Sequence, residues 1–149
     1  GRRLEGALIF PYTTRRNDRP GVNRWMFADL QAAAAGRALA SLALVAPGDD
    51  QAMLEEWLAA GLCRGLKPYH LFAGPGDTTQ SAVEDYAPEW MWRLCDRHGA
   101  VLMLHLVKDA ASLAEANRDD LLRLAARYPG CRASRRGEPP AHSQSYSFS

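Results

Sequence analysis

The residues in this chain whose types and spacing could do chemistry are a lysine, a tyrosine and two histidines. Lys67, Tyr69 and His70 fall together in Gly65-Leu66-Lys67-Pro68-Tyr69-His70, where a short apolar run gives way to a polar segment. His105 stands alone in a second apolar run, Met103-Leu104-His105-Leu106-Val107. A neutral imidazole is the commonest metal ligand, so His105 is a candidate ligand. The competing reading is a core histidine whose ring nitrogens find a backbone or side-chain partner. Lys67 lies in a run that otherwise reads as buried, and a buried ammonium needs an anion. A substrate carboxylate would serve; so would a neighbouring acid such as Asp77 or Glu84. Tyr69 and His70 are candidate substrate contacts, against the alternative of ordinary surface loop residues.

Other chemistry-bearing residues read as structural. Glu55 with Glu56 and Asp119 with Asp120 are adjacent on helical segments, so their carboxylates diverge and cannot share a proton. Trp57, Trp90 and Trp92 fall at helical positions and read as core walls. Arg15, Arg16 and Arg19 form a small basic cluster without interleaved aromatics, which is a poor nucleic-acid signal and reads as a solvent-facing loop.

These residues must be positioned by a chain of 149 residues, 47% apolar, with a formal net charge of +1. That apolar content supports a packed core. The balanced charge gives no field for nucleic acid, so small molecules or protein surfaces are the expected partners. Three cysteines, Cys63, Cys95 and Cys131, without a CxxC pair, indicate neither a disulfide framework nor a zinc finger and fit a reducing compartment. No apolar run approaches the ~20 residues of a membrane span, and no signal peptide opens the chain, so a cytoplasmic protein is expected. Starting on Gly1 just ahead of a strand-like segment, the sequence reads as a piece cut short at its N-terminal side.

Short apolar runs alternate with longer amphipathic stretches, the pattern of βα units on a parallel sheet. Strands are expected over 4–10, 39–45, 63–69 and 100–107. Helices are expected after Asn23 as a cap, after Asp49 or Asp50, over 83–98 and over 111–128. Pro88 suggests that the regular part of the third helix starts there. Between the third strand and that helix, 70–81 is rich in Gly, Pro, Asp and Thr and longer than usual, as functional loops often are. A strand due at Cys131 is not announced by any apolar run. The fold class expected is therefore α/β: a partial TIM-type (β/α) barrel of about four βα units over 1–131, with a disordered or frame-shifted tail over 132–149. An open doubly wound sheet is the alternative, although the first βα turn has no G-x-G-x-x-G.

The segments G-L-C-R-G-L-K-P-Y-H (61–70), P-E-W-M-W (88–92) and H-G-A-V-L-M-L-H-L (98–106) resemble the amidohydrolase-related family, metal-dependent hydrolases with a TIM-barrel fold. The likeness runs over 61–132. It implies a divalent metal, usually zinc, with His105 as a ligand. Lys67 matches a lysine that is a carbamylated ligand in some relatives and not in others. It also implies metal-activated water acting on a small carboxylate, amide, ester or lactone substrate. Departures from the family pattern are as informative: no two of the four histidines are one residue apart, so its H-x-H pair has no match. The histidine of the following strand and the late aspartate have none either. With one ligand of about four, the polypeptide is expected to be an inactive fragment of such a hydrolase. Two further readings stay open. One is a non-catalytic half-barrel interaction module that self-associates through exposed sheet edges. The other is an aldolase-like enzyme using Lys67 as a Schiff-base nucleophile.

Overall fold

The computed structural model describes residues 6–33, 38–74, 76–107 and 115–135. Within them the chain is a mixed α/β fold on parallel strands. Strand β1 (Gly6–Ile9) pairs in parallel with β2 (Ala38–Ser41), Gly6 opposite Ala38 and Ile9 opposite Ser41. After Leu42, whose N–H donates to the Ile9 carbonyl (2.9 Å), the chain continues as β3 (Ala43–Val45). That strand opens a second parallel sheet of order β3-β4-β5-β6, with β4 Gly65–Pro68, β5 Val101–Leu104 and β6 Arg132–Arg135. Every described neighbour is thus also the next strand in sequence. The connections are α1 (Arg19–Ala33), α2 (Gln51–Ala59), α3 (Val83–Tyr86) with α4 (Glu89–His98), and α5 (Glu115–Arg127). Among the described residues no helix is long and apolar enough to cross a membrane.

Local chemistry accounts for most boundaries. Asp50 caps α2, its side chain accepting from the backbone of Ala52 (2.9 Å) and Met53 (3.3 Å). Gly99 ends α4 at φ 57°, a left-handed conformation that costs glycine least. The helix expected over 83–98 is two helices. Pro88 has no N–H to give and keeps Ala87 out of the α region (φ −129°, ψ 64°), so α4 begins only after it.

Two expectations are corrected. Asn23 does not cap a helix; α1 begins at Arg19 with Pro20 in its first turn, and Asn23 lies inside it, 1% exposed. Its side-chain amide donates to the Leu44 carbonyl (2.8 Å) and its oxygen accepts from the Leu44 N–H (2.8 Å). Pro11, just past β1, cannot donate to a ladder, and Asn23 satisfies the backbone of Leu44 on β3. The second correction concerns the start of the expected tail. Arg132–Arg135 forms β6, parallel to β5 with Val101 opposite Arg132 and Leu104 opposite Arg135. An edge strand is held by main-chain hydrogen bonds, which need no apolar sequence. Cys131, 8% exposed, anchors its entry. The rest of the expected tail, 136–149, the end of the first helix at Gly36 and the turn at Lys108 and Asp109 lie outside the described residues.

One core cluster unites residues of α1 (Met26, Phe27), α2 (Leu54, Trp57), α4 (Met91, Trp92) and α5 (Leu124) with Ala43 and Val45 of β3, Leu66 of β4, and Leu102 and Leu104 of β5. These strand residues alternate, so the four helices share one face of the sheet. Trp57 and Trp92 are core walls as expected, and Trp90 packs at the rim. By the same alternation Leu44, Lys67 and Met103 point to the opposite face, Leu44 and Lys67 being opposite one another in register. That face carries the candidate site.

Candidate ligand site at the strand ends

Lys67 is fully buried on the face of β4 opposite the one that α1, α2, α4 and α5 cover. Its Nζ donates to the Met103 carbonyl of β5 (3.2 Å) and lies 4.2 Å from the ring centroid of Tyr69 and 5.5 Å from that of Phe10. Phe10 follows β1, two strand spacings from β4, so the amine reaches across the intervening strand toward it. Both rings lie within cation–π range of the amine. His105 follows β5 and packs its ring against Tyr69 (centroids 4.8 Å apart) and against His70 (5.4 Å). All four residues singled out in the sequence therefore meet at one place. Lys67 forms its floor, and Tyr69, His70 and His105, each partly exposed, form its wall.

His70 opens a short 3-10 turn, His70–Phe72, and its Nδ1 lies 3.0 Å from Oγ1 of Thr78, itself 5% exposed. Burial holds the imidazole below its ordinary value. The nearby charges of Arg15 and Lys67 act in the same direction, while the Thr78 contact and Asp77 oppose it. The ring is thus neutral at pH 7, a hydrogen-bonding group rather than a cation.

The loops that carry these groups are tied together by two arginines. Arg19 makes a bidentate pair with Asp49 (Nε to Oδ1 3.0 Å, to Oδ2 2.9 Å), and its guanidinium sits 4.9 Å over the Phe72 ring. Asp49 also accepts from the Ala46 N–H (2.8 Å), so its carboxylate ties α1 to the segment after β3, and the Arg19 guanidinium extends the link to Phe72 after β4. Its contact with Asp49 raises the Arg19 pKa. Arg15 donates to the carbonyls of Gly74 (2.7 Å) and Gly76. Arg15 and Arg16 are exposed in the loop after β1, as expected of the arginine cluster, although Arg15 also bridges to a second loop; Arg19 is half-buried and opens α1.

Sequence reasoning missed Phe10, Arg15, Arg19, Asp49 and Thr78. Phe10 was legible in principle, since it ends the first apolar run as Tyr69 follows the third. Asp49 and Thr78 were not, because their partners are 30 and 8 residues away and no periodicity links them. The acids suggested as partners for Lys67 are engaged elsewhere: Glu84 pairs with Arg123 (3.0 Å) and Asp77 accepts from the Thr79 N–H (2.9 Å).

A catalytic zinc takes three protein ligands and a water. Among the described residues no group of three or more His, Cys, Asp and Glu side chains could hold a metal ion. His70 and His105 bring two imidazoles close, but Nδ1 of His70 is engaged with Thr78 and the Lys67 amine lies alongside. The described residues alone do not fit a resident divalent metal. No family model and no curated protein matches the chain.

Proposed function

We propose that this chain is a run of βα units from a (β/α) barrel, and that its strand-end cluster is the carboxylate-binding part of a hydrolase site for a small carboxylate, amide, ester or lactone. The barrel reading is supported by parallel strands in sequential order with four helices on one face; a doubly wound sheet reverses its order and is covered on both faces. The observation that carries the functional reading is the convergence of Lys67, Tyr69, His70 and His105 where strands end, the side on which α/β proteins bind their ligands. Lys67 supplies the positive charge. The imidazoles of His70 and His105 and the Tyr69 phenol supply hydrogen bonds around it. His105 is the residue that the resemblance to amidohydrolase-related enzymes puts forward as a metal ligand; zinc or another divalent metal would need further donors beyond the described residues. No hydrolytic step is therefore assigned to it here.

Calorimetric titration with acetate, propionate and, as a control, chloride tests the reading. Saturable binding of both carboxylates and none of chloride is expected; equal weak responses to all three would overturn it. A second reading, an interaction module, is favoured by β1 at the outside of the described sheet with Leu8 39% exposed. A concentration-dependent shift to a discrete dimer, unaffected by acetate, would favour that reading instead.

A further inference from the structure

We infer that Arg15 is a positioning residue, holding the turn between His70 and Thr78 so that the His70 imidazole is set against His105. The inference rests on reading the strand-end cluster as the ligand site. Its geometry begins with a pair of groups on one loop: His70 and Thr78 bond one another at 3.0 Å, and the segment between them must fold back for that to happen. On the His70 side the backbone is fixed by the Phe72 N–H donating to Tyr69 (3.0 Å) and the Ala73 N–H to His70 (2.9 Å). On the Thr78 side the Ser81 N–H donates to Thr78 (3.2 Å). The stretch in between contains Gly74 and Gly76, the latter at φ 80°. A side-chain carbon added at either glycine would meet no other residue within 4 Å, so these two positions are not themselves packed, whereas Ala73 before them rests on the core. Glycine has the largest conformational freedom to lose, and an unpacked glycine turn stays put only if something grips it.

Arg15 supplies that grip. It comes from the loop after β1, 59 and 61 residues distant in sequence, and its two terminal nitrogens donate to the Gly74 and Gly76 carbonyls. The planar fork of a guanidinium matches two such acceptors, whereas a lysine presents one compact charge. Arg19, stacked over Phe72 and fixed by Asp49, steadies the other end of the same segment. The loop after β1 thereby sets the geometry of the loop after β4 without contributing a group that the ligand touches.

Amide hydrogen exchange on the purified chain without ligand, in wild type, Arg15→Ala and Arg15→Lys, tests this directly. In Arg15→Ala the amides of Phe72, Ala73 and Ser81 are expected to exchange about tenfold faster, the scale of one charge-assisted hydrogen bond, with the Leu44 and Ala100 amides unchanged. Arg15→Lys should fall between. Wild-type exchange at Phe72 and Ala73 in Arg15→Ala would overturn the proposal. A second arm measures acetate affinity in Arg15→Ala, Thr78→Val and the double variant. If Arg15 acts through the Thr78–His70 pair, the double variant is no weaker than the worse single one, and additive losses would contradict it. Should exchange respond in Arg15→Ala while wild type fails to bind acetate, the carboxylate reading fails and the positioning role stands.

Discussion

The two ends of the strands are built on opposite plans. Where β4, β5 and β6 begin, the entries are short and held by main-chain hydrogen bonds, with a small cavity beside Gly61, Ser41 and Arg64 at the first of them. Gly61 ends the α2 turn at φ 68°, and Arg64 donates its N–H to the Ser41 carbonyl (2.8 Å). Ala100 donates to Cys95 (2.8 Å), and the Gly130 N–H is held by Asp96 (2.6 Å). Three thiols, Cys63, Cys95 and Cys131, are buried there. Where the strands end, the loops are longer and polar, and four titratable or hydrogen-bonding side chains crowd together. At the first end the strand entries are pinned by backbone hydrogen bonds to neighbouring segments. The second spends its arginines on holding loops in place around a buried lysine, which is the expense a binding site imposes. On the proposed reading, stability and recognition are assigned to different ends of the strands.

Substitutions should separate the two. Trp92, fully buried beneath α4 with its indole N–H on the Ala87 carbonyl (3.1 Å), belongs to the structural side. Trp92→Ala should cost about 3–5 kcal/mol in denaturant unfolding. Asn23→Ala leaves both backbone groups of Leu44 without their partner and should cost about 1–3 kcal/mol by the same measurement. On the recognition side the pattern inverts. Thr78→Val should weaken acetate binding by roughly tenfold while moving stability by only about 1 kcal/mol or less. Equal losses of stability and affinity in Thr78→Val would erase the distinction.

The smallest effect concerns the thiols. Burial pushes Cys63 up to about 11. Cys95 is raised too, chiefly by its hydrogen bond with Cys131 and then by burial. Since the folded value of Cys63 lies above the unfolded one, near 9, the stability from keeping it a thiol is present below pH 9 and is lost as pH climbs through about 11. Native protein should therefore react slowly with iodoacetamide at pH 8, and rapidly only when unfolded. Rapid native labelling of Cys63 would show that the strand entries are open.

Much of this was legible in the sequence. Strand positions follow from apolar runs, and Asp50, Pro88 and Gly99 announce their helix boundaries because capping and backbone restriction are local effects. The candidate residues Lys67, Tyr69, His70 and His105 were found by asking what sits at strand ends. Three things were hidden, the last of them the contacts Arg15 and Arg19 make rather than the exposure of Arg15, which was as expected. Asn23 reads as a cap because its type suits one, whereas inside α1 it pairs with the Leu44 backbone 21 residues away, a contact that leaves no local pattern. The strand at Arg132–Arg135 carries no apolar pattern because its pairing is main-chain. Arg15 and Arg19 read as solvent-facing because loop-to-loop contacts leave no periodic trace.

The central claim is that the cluster on the face opposite α1, α2, α4 and α5 binds a carboxylate through Lys67. It is tested most directly by following the imidazole resonances of His70 and His105 by NMR during an acetate titration of wild type and Lys67→Met. The account predicts saturable shifts of both rings in wild type, and an affinity lower by about tenfold or more in a still-folded Lys67→Met, the scale of a hydrogen bond to a charged group. Identical titrations in the two proteins, or no shift of either ring, would contradict it.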